Sequence, residues 1–208
     1  MNGTAHAAIG AAAGYVVANT VNASTSETLL LVGLGVISGL IPDLDIDGKL
    51  RDRITLSHEV VRTVSQLIGI LMVIYSFCEG SSIEKWMGIA IGIGMISIAS
   101  RIKQKHMLTL TGIGVLAGGA SLQELWMILF GVYMFIASFI AHRSYTHSII
   151  GVIFFGYIAF RFEMSLGIHG VYYTCLAGYI FHLAADLKLL PFNKRGIKLF
   201  LPISSKEI

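Results

Sequence analysis

Apolar residues fill this chain in repeated blocks, separated by short clusters of charged and hydroxyl side chains. A bilayer core of roughly 30 Å is crossed by about 20 helical residues, fewer where neighbours shelter the segment. On that ruler the pattern predicts eight helical segments. The first two, Thr4 to Val21 and Thr28 to Ile41, are short, closely packed by their small residues, and the second is ended by Pro42. Clearer spans follow at His58 to Phe77, Lys85 to Ala99, Met107 to Gly118, Leu122 to Ile140, Ser148 to Phe162 and Gly170 to Leu187. The Met107 to Gly118 block is short for a full crossing and reads as tilted or re-entrant. The fold class expected is all-α: a polytopic helical membrane protein of about 6–8 helices.

Composition sharpens that picture. Of 208 residues 55% are hydrophobic and 13% charged, with a mean hydropathy of +0.75, whereas a soluble domain carries about 25% charged residues. Because the apolar residues recur in blocks, a soluble domain on one anchor does not fit, and residues 1–208 read as a single integral membrane domain. Cys78 and Cys175 lie inside apolar runs and read as small apolar packers. The N-terminal MNGTAHAAIGAAAGYVVA lacks the basic start of a signal peptide and reads as part of the mature protein.

Charge then orients the helices. If they alternate across the bilayer, the segments Pro42 to Ser57, Arg101 to His106, Ala141 to His147 and the tail from Lys188 fall on one side, which with Arg62 near the start of the third helix carries 13 of the 15 basic residues. The positive-inside rule puts that side, and both termini, in the cytoplasm. The net charge of +3 is then accounted for by topology and by anionic head groups of membrane lipids, with no nucleic-acid partner implied.

The same diagram gathers the polar residues at one level. His6 begins the first helix; Asp43, Asp45 and Asp47 follow the second; His142 and His147 occupy a corner between helices; His182 and Asp186 end the last. Ionisable groups at membrane depth are costly and mark function. His182 and Asp186, four apart, share a helical face, which suits a common ion or a simple mutual hydrogen bond. Asp43 and Asp45 point the same way if their segment is extended, or are a solvated acidic loop. The His142–His147 corner turns both rings inward, or serves helix capping through Ser144 or Thr146. Imidazoles with carboxylates suit zinc, manganese or iron. Four histidines and two or three acids exceed one tetrahedral ion, so the expected count is two ions, or one ion plus a general base. Arg143 is placed to grip a phosphate bidentately, or to set topology.

The ordered set of His6, P-D-L-D at Pro42 to Asp45, H-R-x-x-T-H-S at His142 to Ser148 and H-L-x-x-D at His182 to Asp186 resembles the membrane-bound metal-dependent hydrolases, the YdjM-like, LexA-regulated inner-membrane hydrolase family. The tail GIKLFLPI, Gly196 to Ile203, is similar to that family's closing stretch. The resemblance spans nearly the whole chain. It implies a helical hydrolase of the prokaryotic inner membrane, distantly like zinc-dependent phospholipases C. The implied metal ligands are His6, Asp43, Asp45, His142, His147, His182 and Asp186, holding one or two divalent ions, zinc first and manganese or iron as alternatives. Three departures stand out. Ile46 and Asp47 replace the histidine that often follows PDxD, with His58 as the nearest substitute or else a helix-start histidine. The interval from Asp186 to Gly196 is longer than usual, and the section from Ile54 to Gln123 matches no functional motif. His106 and His169 are not assigned to the site.

The function expected is hydrolysis of a phosphoester or ester bond in a lipid-like substrate at the cytoplasmic interface, with Asp43, Asp45 or Asp186 as base or ion bridge and Arg143 as phosphate clamp. Two other classes compete: a metal-ion or proton transporter using the same side chains, and a non-catalytic membrane protein stabilised by a metal. Ligands gathered at one level, with no second cluster to mark an exit, weigh against transport.

Overall fold

The computed structural model describes residues 3–44, 57–140, 144–188 and 196–208, and among them every regular element is helical. The helices are α1 (Gly3–Thr20), α2 (Thr25–Ser38), α3 (His58–Glu79), α4 (Ser82–Ala99), α5 (Gln104–Leu122), α6 (Leu125–Ala137), α7 (Ile149–Leu166) and α8 (Val171–Asp186). Two single-turn 3-10 helices, Ile41–Leu44 and Tyr145–His147, sit between them. Helices α3, α4 and α7 are long and apolar enough to cross a membrane; α2 and α6 are apolar but shorter.

The chain divides into two compact units, Asp52–Met107 and the remainder, Met1–Arg51 with Leu108–Ile208. The smaller unit is the α3–α4 hairpin, whose helices approach closely where Gly69 faces Gly92 and Gly88 faces Ser76. The larger unit holds a core built from Leu31, Leu108, Tyr133, Met134, Phe155, Val171 and Tyr179, all buried.

Local chemistry moves several boundaries away from the expected ones. Helix α2 starts at Thr25 because Ser24 and Glu27 form a capping box: Glu27 N–H donates to the Ser24 hydroxyl and Ser24 N–H donates to the Glu27 carboxylate at 2.8 Å. It stops at Ser38, four residues before Pro42. A proline has no N–H to offer the carbonyl four positions back, so Pro42 ends the helix upstream and itself sits in the Ile41–Leu44 turn. Helix α5 is 19 residues, longer than the Met107 to Gly118 expected of it. Helix α6 is correspondingly shorter than Leu122 to Ile140, because Gln123 takes a left-handed φ of 57° before it. Helix α7 is capped by Ser148, whose hydroxyl accepts from Gly151 N–H, and not by Ser144 or Thr146.

Glycine sets the spacing of α1, α2 and α8. A Cβ at Gly10 would collide with the Gly35 carbonyl, one at Gly35 with the Gly10 carbonyl, and one at Gly178 would lie 3.0 Å from the Gly35 oxygen. These three helices therefore meet backbone to backbone, as small-residue contacts permit in a membrane. The tail closes over the same unit. Ile149 N–H donates to the Leu199 carbonyl at 2.9 Å, Lys188 N–H to the Ile208 carbonyl at 3.0 Å, and Ile197 is fully buried.

Gly10→Ala is expected to lower the thermal unfolding midpoint in detergent, by overpacking worth roughly 1–3 kcal/mol. A methyl group added at Gly33 would meet nothing within 4 Å, so Gly33→Ala is expected to leave the midpoint unchanged or raise it by up to about 1 kcal/mol through helix propensity. Equal losses from both would show that the close approach is not limiting.

Candidate metal centre

A spacing of four residues runs along each helix that meets at the centre. Helix α1 presents His6, Gly10 and Gly14; α2 presents Gly35 and is capped by Gly39; α8 presents Thr174, Gly178, His182 and Asp186. Positions four apart stack on one helical face. A glycine thus lies one turn from each histidine, and the close backbone contact it allows carries the two imidazoles together. The His6 and His182 rings stack with centroids 3.9 Å apart and 25° between planes.

Two single-turn helices bring the remaining groups. The Ile41–Leu44 turn carries Asp43, so this carboxylate is aimed by a helical turn and not by an extended segment. The Tyr145–His147 turn carries His147. Nε2 of His182 lies 3.3 Å from Nε2 of His147 and 3.6 Å from Oδ1 of Asp43, and the His147–Asp43 separation is also 3.6 Å. On the other side, Asp186 Oδ1 lies 3.3 Å from His6 Nε2 and Oδ2 lies 3.8 Å from His182 Nε2. Two triads result, His6–His182–Asp186 and Asp43–His147–His182, joined at His182. The three histidines and Asp186 are at most 3% exposed, while the Asp43 side chain is 19% exposed and forms the open edge.

The hydrogen bonds fix which nitrogen is available. Nδ1 of His182 is 2.7 Å from the Gly39 carbonyl, which only accepts, so Nδ1 carries the proton and Nε2 turns its lone pair into the cluster. Nδ1 of His147 is 3.1 Å from the Thr146 hydroxyl. That hydroxyl can accept or donate, so it accommodates either tautomer of His147. Below the turn, the Tyr179 hydroxyl donates to the Thr146 carbonyl and lies 3.1 Å from the Tyr133 hydroxyl. Phe155 stacks on Tyr179 at 4.9 Å. A backbone carbonyl one residue before His147 is thereby tied to α8, the helix that carries His182.

Of the residues singled out from sequence, His6, Asp43, His147, His182 and Asp186 meet here. Asp45, Asp47, His142 and Arg143 lie outside the described residues. His58 opens α3 in the smaller unit and belongs to neither triad. His106 accepts from Lys103 N–H at 3.0 Å at the start of α5, and His169 is exposed beside Glu163. Sequence reading missed Gly39, Tyr133 and Tyr179, and gave Thr146 a capping role where the structure sets its hydroxyl 3.1 Å from His147 Nδ1. The four-residue glycine spacing beside each histidine was a readable signal for the helix contact; nothing in sequence marked the tyrosines as partners of the turn.

A family model described as YdjM inner membrane protein matches the chain over residues 1–208. No curated protein and no solved structure matches it.

Tyr179→Phe removes the donor to the Thr146 carbonyl and is expected to cost roughly 1–2 kcal/mol. A thermal melt in detergent reads the loss, and Tyr173→Phe, at an exposed position, serves as the control. No difference between the two variants would remove this hydrogen bond from the support of the His147 turn.

Proposed function

The chain belongs to the YdjM inner membrane protein family, and on that premise we propose that it is a membrane-embedded, metal-dependent hydrolase of a phosphoester or ester bond in a lipid-like substrate. The spacing of the donor atoms carries this reading. A tetrahedral zinc with bonds of ~2.0–2.1 Å sets neighbouring ligand atoms ~3.3–3.4 Å apart. The His182–His147 and His6–Asp186 edges are both 3.3 Å and the His182–Asp186 edge is 3.8 Å, with Asp43 3.6 Å from both His147 and His182. Three imidazole nitrogens with two carboxylates favour zinc, with manganese or iron as alternatives.

Both triads draw on Nε2 of His182, and its other nitrogen is committed to Gly39. A nitrogen lone pair serves one ion, so the two triads read as one site for a single cation, with His6, His147, His182 and Asp186 as its proposed ligands and Asp43 beside it. When bound, that cation would lower the pKa of water towards neutrality and polarise a phosphoryl or acyl oxygen. The side chains do the rest. Asp43, at the open edge, would accept the proton of the water that attacks the ester, while Asp186, held against His6 and His182, would help hold the cation. Arg143 is the proposed phosphate clamp. The open edge at Asp43 favours catalysis over a closed, purely structural ion.

The cytoplasmic orientation of the centre and of both termini rests on the basic residues that share its side of the membrane. In a Cys78→Ser background, which removes the exposed native thiol, Ser144→Cys is therefore expected to react with an impermeant maleimide only after the inner membrane is opened; labelling in intact spheroplasts would invert the topology.

Detergent-purified protein is expected to hold about one zinc per chain by elemental analysis. His182→Ala, which removes the atom common to both triads, should lower zinc affinity by at least about 100-fold. Asp43→Asn should keep its metal yet lose about 10²–10⁴-fold in turnover, read by mass spectrometry of a phospholipid panel in proteoliposomes. A chain that stays metal-free after incubation with zinc and with manganese would overturn the proposal.

A further inference from the structure

The turn that carries His147 has a second face. It also forms one wall of a groove of about 410 Å³ between α6 and α7. Tyr133 and Ile136 line it from α6, Ile140 from just beyond that helix, Tyr145 from the turn, and Ile150 and Phe154 from α7. The polar atoms of this wall are turned elsewhere: the Thr146 carbonyl accepts from Tyr179, and the Tyr133 hydroxyl pairs with that of Tyr179. A polar occupant would give up its hydrogen bonds to water on entry, which is unfavourable, whereas a hydrocarbon gives up none. Gly151, at the base of the groove, has no room for a side chain beside the Tyr145 carbonyl and the Tyr179 hydroxyl. The groove and the turn are therefore built as one piece.

We propose that this groove seats one hydrocarbon chain of a membrane lipid whose head group is presented to the histidine–aspartate cluster. The proposal deepens the hydrolase reading and rests on it for the head group's fate. Three observations commit the occupant to an acyl or similar chain. The chain belongs to an inner membrane protein family, so hydrocarbon surrounds the apolar helices. The groove wall offers no spare polar partner among the atoms just named. And Thr146, a lining residue, immediately precedes His147 in the cluster, so a chain lying here lies against the turn that carries a candidate ligand. A comparable groove on the α7–α8 side, lined by Ile153, Gly156, Tyr157 and Phe160, includes no residue adjacent in sequence to a cluster ligand. It provides the internal comparison.

The test uses full-length protein in nanodiscs of phosphatidylglycerol doped with phosphatidylglycerol that carries a diazirine in one acyl chain. After irradiation, peptide mapping is expected to find Ile136, Ile140, Ile150 or Phe154 labelled at least five-fold above Ile153 and Tyr157. Ile136 and Ile150 are partly exposed, so a tryptophan at either fills the groove without entering the core. Ile136→Trp and, separately, Ile150→Trp should cut labelling of the remaining groove residues at least five-fold with zinc content unchanged, and Ile153→Trp should not. Even labelling across all lipid-facing helices, or labelling indifferent to the groove tryptophans, means annular lipid only and overturns the proposal. Labelling and metal content need no turnover. Selective labelling without hydrolysis would therefore refute the hydrolase reading alone, and hydrolysis without selective labelling would refute the groove alone.

Discussion

The contact on which the site depends is the one between the Nδ1 proton of His182 and the carbonyl of Gly39, 2.7 Å from nitrogen to oxygen. It works only because the end of α2 lies against α8 with no side chain between them, which the Gly178–Gly35 approach allows. The bond decides the tautomer of His182, and the tautomer decides that a lone pair faces the two aspartates and the other two histidines. A bulkier residue at the contact would move the carbonyl away, and an imidazole without that partner would be free to turn its lone pair out of the cluster. Helix packing and ligand chemistry are here a single constraint.

The other groups arrive by a different route. His147 and Asp43 are each on a turn of three or four residues, too short to hold a direction unaided. Each turn is braced by its neighbours. Leu44 and Ile41 are fully buried beside Asp43, and the turn of His147 is tied by Tyr179 below and followed by α7, whose first N–H is taken by the tail at Leu199. Short elements with several outside anchors can aim a side chain as well as a long helix, and they leave one edge open where Asp43 meets the surroundings.

Much of this was legible in the chain. The all-helical class, the gathering of His6, Asp43, His147, His182 and Asp186, and the family resemblance were readable because apolar block length and polar position are properties of sequence alone. Boundaries were less so. Pro42 acts four residues upstream through the N–H it lacks, Ser24 and Glu27 pull the start of α2 forward, and Gln123 breaks what hydropathy alone reads as continuous. The tyrosine pair beneath the His147 turn joins residues 46 apart in sequence, and no local pattern announces such a contact. The positions Asp45, His142 and Arg143 lie outside the described residues, so the chemistry expected of them rests on sequence.

The three histidines are not restrained alike. His182 is gripped through a backbone carbonyl and His147 faces a hydroxyl, but the buried Nδ1 of His6 has no hydrogen-bond partner among the described residues. An unmet buried donor or acceptor costs roughly 1–3 kcal/mol, and among the described residues that side of the ring is oriented by stacking on His182. His6 is instead held through Nε2, 3.3 Å from Asp186, and through its stacked face, so its place in the cluster follows from how closely the first helix lies against the last.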